Sequence, residues 1–137
     1  MDRFALVEDV KRYFSILELV PESVFKELGE DKCWNLFPDE SLFMLVTVRE
    51  AWGKPLIINS KSKGYQYSGY RPIDCSIGAK YSGHRFCLVF DAKDARMTLE
   101  ANIELYNFLL EKGEHLGVTE LEDRSYTIDG KNVGWCH

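Results

Sequence analysis

Two histidines and an aspartate in the second half of the chain could together bind a catalytic metal ion. His84 and Asp91 are separated by six mostly apolar residues, and His137 follows Trp135 and Cys136. A catalytic zinc ion uses three protein ligands drawn from His, Asp and Glu and keeps a fourth position open. His84, Asp91 and His137 supply such a set, provided that the fold brings them together.

The spacing between His84 and Asp91 places a condition on the fold. On one regular strand these two residues would face opposite sides. We therefore expect His84 in the loop before a strand, or a bulge between the two residues. The cysteines permit a second interpretation, because Cys87 and Cys136 lie near His84 and His137 and would complete a closed Cys2His2 structural site. However, Cys136 and His137 are adjacent in sequence, and the side chains of adjacent residues point to opposite faces of a strand. Cys87 and Cys136 are therefore better explained as small buried residues beside the site.

Several short motifs carry a resemblance to a known family. The pattern Ser82-x-His84-x6-Asp91 resembles the Ser-x-His-x6-Asp signature of the zinc peptidases of the D-alanyl-D-alanine carboxypeptidase and L-alanyl-D-glutamate peptidase type. The pair Trp135-x-His137 is similar to the Trp-x-His ending of the same family.

Upstream segments extend this resemblance over nearly the whole chain. Ser68-Gly69-Tyr70-Arg71 resembles the family's Ser-Gly-x-Arg segment. Phe14, residues 18–20 and residues 49–50 resemble the helical front half of phage and prophage members. The motifs occur in the family's order and at similar spacing.

The resemblance implies an enzyme that cuts the D-amino-acid-containing stem peptides of bacterial peptidoglycan, as a D,D-carboxypeptidase or an endopeptidase. It also implies a Zn2+ cofactor held by His84, Asp91 and His137. Arg71 would contact a carboxylate or carbonyl oxygen of the substrate, since a planar guanidinium can bind a carboxylate through two hydrogen bonds. Ser82 and Tyr70 would lie against the substrate, although loop packing explains the tyrosine almost as well.

The chain departs from the family pattern at three positions that bear on catalysis. Cys87 and Val89 stand where members usually carry Gly and Ala, and Gly134 stands where many carry the catalytic acid. In the subgroup that ends Gly-Trp-x-His, the acid lies in an upstream Glu-Asp pair, which Glu122-Asp123 resembles. We therefore expect Glu122 to be the base that takes a proton from the attacking water, with Asp123 as the alternative. The departures also support a second hypothesis, in which the domain is a non-catalytic structural or binding part of a phage particle.

Composition indicates one globular domain over residues 1–137. The chain is 45% hydrophobic and carries a net charge of −5, which disfavours a nucleic-acid partner. It contains no apolar run of the roughly 18 residues that a membrane span needs, and no signal peptide is evident at its start. We therefore expect a protein that is synthesised in the cytoplasm and has no membrane partner, and we expect it to be a monomer. The resemblance implies that it acts on the cell wall as a phage-derived protein. Four cysteines are too few for a disulfide scaffold.

Hydrophobic periodicity and turn residues predict an α+β fold. Helices are expected over residues 5–17, 21–28, 39–52 and 95–112, the last with an apolar face of Leu99, Ile103, Tyr106 and Leu110. Strands are expected over residues 56–58, 88–90 and 118–122, with a hairpin around Asp129-Gly130. Residues 59–82 read as a long functional loop. The elements suggest a small antiparallel sheet with helices packed on one side, and the resemblance implies a fold like that of hedgehog and D-Ala-D-Ala peptidases.

Overall fold

The protein is α+β, with helices in its first half and a mixture of strands and one long helix in its second. The computed structural model describes residues 2–60, 65–72, 84, 89–119 and 121, together with the backbone of residues 123–128 and 131–136. In these residues the elements are α1 (Arg3–Lys11), α2 (Glu22–Leu28), α3 (Glu30–Trp34), α4 (Asp39–Trp52), β1 (Leu56–Ile57), β2 (Lys93–Asp94), α5 (Leu99–Lys112), β3 (Asp123–Ile128) and β4 (Lys131–Cys136). Short 3-10 turns lie at Ile16–Glu18 and Gly113–Leu116.

The helices predicted over residues 21–28 and 39–52 are confirmed as α2 and α4. The helix α4 spans the predicted residues and ends at Gly53, whose left-handed conformation (φ of 74°) suits a residue without a Cβ atom. The helix predicted over residues 5–17 is shorter, because the chain leaves the helix after Lys11. As a result Ile16 is buried and Leu17 is 45% exposed, the reverse of what a continuous helix would give. The short α3 was not predicted.

The strand predicted over residues 88–90 is wrong in position. Val89 and Phe90 lie before β2, which begins at Lys93 and pairs antiparallel with β1. Phe90 is nevertheless buried, because its ring stacks on Phe37 at a centroid distance of 5.9 Å. An apolar run therefore enters the core here without forming a strand. Similarly, Val118 and Thr119 are not in a strand, and β3 begins only at Asp123.

The predicted hairpin is confirmed. The strands β3 and β4 pair antiparallel, from Asp123 opposite Cys136 to Ile128 opposite Lys131, so two residues connect them. The strand β4 lies beside both α5 and β2. This places the hairpin next to the segment that follows Asp91.

The helix α5 begins after Thr98, whose hydroxyl accepts a hydrogen bond from the Ala101 amide at 3.1 Å. Its predicted apolar face is wrong at Ile103 and Leu110, although Tyr106 is partly buried and packs against the core. Ile103 and Leu110 are 48% and 66% exposed, whereas Ala101, Leu105 and Leu109 are buried. These three share a face at intervals of four residues, together with Asn102, whose polar side chain concealed the pattern.

The main core lies between the helices and the β1–β2 pair. Its largest fully buried apolar side chains are Phe14, Phe37, Leu19, Leu42, Ile58, Leu105, Val10 and Val20. In the described part of the chain, no helix combines the length and apolar composition needed to cross a lipid bilayer.

Candidate metal centre

A short loop between β1 and β2 organises the candidate site. This loop, residues 68–71, is called the site segment below. The backbone carbonyl of Ser68 accepts a hydrogen bond from the amide of Asp91 at 2.8 Å, and the amide of Arg71 donates to the carbonyl of His84 at 3.1 Å. The amide of Tyr70 donates to the carbonyl of Leu19 at 2.8 Å, which anchors the segment on the helical half. The segment therefore aligns His84 and Asp91, which the sequence separates.

His84 is completely buried and held in one orientation. Its Nδ1 atom lies 2.9 Å from the carbonyl oxygen of Gly69. A carbonyl oxygen can only accept, so Nδ1 must carry the proton of this hydrogen bond. In the neutral imidazole, Nε2 is then the unprotonated nitrogen, which can accept a hydrogen bond or bind a metal ion. Metal-binding histidines commonly use this arrangement, with one ring nitrogen donating to a carbonyl and the other directed at the metal.

The Nε2 atom of His84 faces Oδ1 of Asp91 at 3.4 Å. Two ligand atoms that each lie about 2.1 Å from a tetrahedral zinc ion are themselves about 3.4 Å apart. A direct charge-assisted hydrogen bond between an imidazolium and a carboxylate is shorter, at about 2.7–2.9 Å. The separation is compatible with two ligands of one cation, and it also lies within the range of an ordinary His–Asp ion pair.

Arg71 contacts the other oxygen of the same carboxylate. Its Nη2 atom lies 3.3 Å from Oδ2 of Asp91, and its Nε donates to the carbonyl of Tyr67 at 2.9 Å. Both side chains of this ion pair are mostly buried, with 13% and 10% of their surface exposed. Arg71 thus orients the Asp91 carboxylate so that Oδ1 points toward His84.

Lys93 is a charged side chain deep in the structure, with 1% of its surface exposed. Its Nζ atom donates to the Ile58 carbonyl at 2.9 Å, to Oγ of Ser68 at 2.8 Å and to the Asp91 carbonyl at 3.0 Å. It also lies 4.3 Å from the centre of the Tyr65 ring. Burial lowers the pKa of Lys93 to about 7, and the Asp91 carboxylate acts in the opposite direction.

The buried side chain of Asn59 holds the backbone of the site segment. Its Oδ1 atom accepts hydrogen bonds from the amides of Ser68 and Gly69 at 2.9 and 3.3 Å. Asn59 is buried, and its own amide donates to the carbonyl of Glu18 at 2.8 Å. Asn59 therefore holds the amide of Gly69, while the next peptide, which contains the carbonyl that orients His84, is anchored on Leu19.

The structure brings together four of the predicted site residues, namely His84, Asp91, Arg71 and Tyr70. His84 lies outside the strands, as its spacing from Asp91 required. Three further predicted residues, Ser82, Glu122 and His137, lie outside the described residues, as does Cys87 of the alternative Cys2His2 site. Within the described part of the chain, no group of three or more His, Cys, Asp or Glu side chains is arranged to hold a metal ion.

The described strand pairing extends to the sequence neighbours of Glu122 and His137. Asp123 and Cys136, their immediate neighbours in sequence, pair directly across β3 and β4. Glu122 and His137 themselves lie outside the described residues, and their place beside His84 and Asp91 stays a prediction.

Lys93 and Asn59 were missed by sequence reasoning. Lys93 stands in the stretch Asp91-Ala92-Lys93-Asp94, which reads as an ordinary charged surface turn. Asn59 stands after a strand, where an asparagine is a common turn residue. No local pattern distinguishes either from a solvated side chain, because the acceptors that surround them come from distant segments.

Comparisons of the chain with protein-family models, with curated proteins and with solved structures found no significant match.

Proposed function

We propose that this chain is a zinc-dependent peptidase that cleaves D-amino-acid-containing stem peptides of bacterial peptidoglycan, as a D,D-carboxypeptidase or an endopeptidase. The observation that carries the proposal is the pairing of His84 Nε2 and Asp91 Oδ1 at 3.4 Å, with His84 oriented through its other nitrogen. The resemblance of the motifs to zinc peptidases supplies the substrate class. The same resemblance leads us to propose that the α+β arrangement is that of the hedgehog and D-Ala-D-Ala peptidase fold.

In this proposal His84, Asp91 and His137 hold the zinc ion. A bound zinc ion would polarise the scissile carbonyl and acidify a water molecule. Glu122 takes the proton from the attacking water and delivers it to the leaving amine. A proton passes only between groups within hydrogen-bond reach, so this role requires Glu122 to lie within hydrogen-bond distance of the attacking water.

In this proposal Arg71 both orients the Asp91 carboxylate and binds the substrate. Its contact with Oδ2 of Asp91 keeps the ligand carboxylate oriented. Its guanidinium has five N–H donors, and those not used by Asp91 and Tyr67 can bind a carboxylate or carbonyl oxygen of the peptide. The mostly buried position of Arg71 strengthens such a contact, because little water competes for it.

The first test is the zinc content of the protein, purified without an affinity tag, in the wild type and in His84→Ala. We expect about one zinc ion per chain in the wild type and none in the variant, measured by elemental analysis. Peptidoglycan fragments are then assayed with the zinc-loaded protein, with Glu122→Ala as the control that retains zinc and loses at least about 100-fold in rate.

The outcomes separate the two hypotheses drawn from the sequence. A wild-type protein that takes up no zinc at neutral pH would contradict the peptidase proposal and favour a structural or binding domain of a phage particle. Zinc bound through sulfur, detected by X-ray absorption, would instead favour the Cys2His2 site.

A further inference from the structure

Lys93 connects three segments that the candidate metal centre requires. Its acceptors are the carbonyl that follows β1 at Ile58, the hydroxyl of Ser68 in the site segment and the carbonyl of Asp91. An ammonium group has three N–H donors, and each of these acceptors takes one. The three distances lie between 2.8 and 3.0 Å, so all three hydrogen bonds are well formed.

This arrangement is costly for a position that serves packing alone. Removing an ammonium group from water carries a large desolvation penalty, and an apolar side chain of similar volume is often neutral or better at a buried charged site. Lys93 pairs with Ile57 across the β1–β2 ladder, where an apolar residue would also fit the strand. The Lys93 amine therefore contributes something that apolar packing would not, namely directed hydrogen bonds to three separate segments.

Two of these hydrogen bonds link Lys93 to the residues that position Asp91 Oδ1 and His84 Nε2. One bond fixes the carbonyl of Asp91, the residue whose carboxylate faces His84. Another fixes the side chain of Ser68, whose neighbour Gly69 supplies the carbonyl that orients His84. Lys93 thus touches both Asp91 and the site segment from within the core.

We propose that Lys93 is a positioning residue of the metal centre, which sets the separation between His84 Nε2 and Asp91 Oδ1 without touching metal or substrate. This inference rests on the proposed function, because the separation matters only if the two atoms share a cation. Residues that support metal ligands in this way typically change metal affinity by about 10–100-fold when they are replaced.

The test uses the full chain and the variant Lys93→Met, which keeps an unbranched side chain of similar length and removes the three donors. Zinc affinity is measured by competition with a chromophoric chelator, and the Co2+-substituted protein is examined by visible absorption. We expect zinc to bind about 10–100-fold more weakly in Lys93→Met, with a cobalt spectrum shifted away from that of the wild type. Ser68→Ala removes a single acceptor and provides a milder variant, which should weaken zinc binding by several-fold.

The control is Leu6→Ala, which truncates a buried side chain of α1, a helix that packs mainly on α4. Its urea midpoint should fall while zinc affinity and the cobalt spectrum remain those of the wild type. Equal zinc affinity in the wild type, Lys93→Met and Ser68→Ala would overturn the inference, whatever happens to their urea midpoints.

A metal-free measurement separates failure of this inference from failure of the proposed function. The Nδ1 proton of His84 can be followed by NMR in zinc-free protein, where its hydrogen bond to Gly69 should protect it from exchange. We expect Lys93→Met to increase its exchange rate by about tenfold or more. If the wild type binds no zinc, the proposed function fails, and an unchanged exchange rate in Lys93→Met would then overturn the positioning role as well.

Discussion

At the scale of single residues, the close approach of Gly69 to Leu19 decides where the site segment can lie. A Cβ atom added to Gly69 would overlap the carbonyl oxygen of Leu19. The amide of Tyr70 donates to that same oxygen, so the two backbones are held together at this point. The absence of a side chain at Gly69 therefore permits the carbonyl of Gly69 to reach His84.

The variant Gly69→Ala should show this directly. Because the obstacle is backbone, either the site segment or the Leu19 turn has to move, and we expect a loss of about 1–3 kcal/mol in the free energy of unfolding. Displacement of the Gly69 carbonyl should also weaken zinc binding in titrations of the purified protein. Urea unfolding and zinc titration measure the two effects.

Gly113→Ala is the matched control for that variant. Its added Cβ would meet the side chain of Val118 at 3.2 Å, and a side chain can adjust where a carbonyl cannot. Gly113 has helical backbone angles, so alanine suits it. A Gly69→Ala protein as stable and as zinc-competent as Gly113→Ala would contradict the importance of this approach.

At the scale of secondary-structure elements, Asp94 joins α4, β2 and the start of α5. Its Oδ2 accepts a hydrogen bond from Nε1 of Trp52 at 3.0 Å, and its amide donates to Oδ1 of Asn102 at 2.7 Å. The amide and Nε of Arg96 both donate to Oδ1 of Asp94 at 2.8 Å. Burial alone would raise the pKa of Asp94, but the hydrogen bonds from Arg96 and Trp52 outweigh it and lower the pKa.

This lowered pKa predicts how Asp94 contributes to stability as the pH changes. A carboxyl group with a depressed pKa in the folded state stabilises the protein fully above its unfolded pKa of about 3.9, and this contribution is lost as the pH falls through the folded value. Asp94→Asn should therefore reduce the free energy of unfolding by about 1–3 kcal/mol at pH 7. The difference from the wild type should begin to shrink as the pH falls below the unfolded pKa of about 3.9.

Urea unfolding of wild type and Asp94→Asn at pH 7 and at pH 2.5 checks this expectation. Glu8→Gln serves as the control, because its exposed ion pair with Lys11 should contribute less than about 0.5 kcal/mol at either pH. A deficit in Asp94→Asn that stays constant down to pH 2.5 would contradict the role assigned to the ionised carboxylate.

At the scale of the whole molecule, the candidate centre gathers segments that lie far apart in the chain. The site segment follows β1, Asp91 precedes β2, and β4 returns beside β2 from the end of the sequence. A zinc ion held among them would bind the folded chain and not the unfolded one. Zinc at about 100 times its dissociation constant should then add about 2.7 kcal/mol to the stability.

Thermal unfolding with and without zinc tests this expectation for the intact chain. The midpoint of the wild type should rise by several degrees, while that of His84→Ala should not change on adding zinc. Magnesium provides the control ion, since it prefers six oxygen ligands and should stabilise neither protein. A wild-type midpoint that is insensitive to zinc would count against the metal centre.

Elements with strong local signals were predictable from the sequence. The helix α4 and its stop at Gly53, and the hairpin of β3 and β4, each depend on residues that are close together in the chain. Elements whose form depends on distant partners were not. Phe90 is buried through its stacking on Phe37 and needs no strand, and the buried face of α5 includes the polar Asn102, which accepts a hydrogen bond from Asp94.

For the site, the sequence by itself determined which side chains could act, since the residue types of His84, Asp91 and Arg71 carry their chemistry. Only the tertiary structure decided how these groups face one another. Nδ1 of His84 finds its acceptor fifteen residues away at Gly69, and Nζ of Lys93 finds acceptors at Ile58, Ser68 and Asp91. Such bonds join segments that no local pattern relates, because the direction of a buried polar group is set by whichever partners the packed chain brings within hydrogen-bond distance.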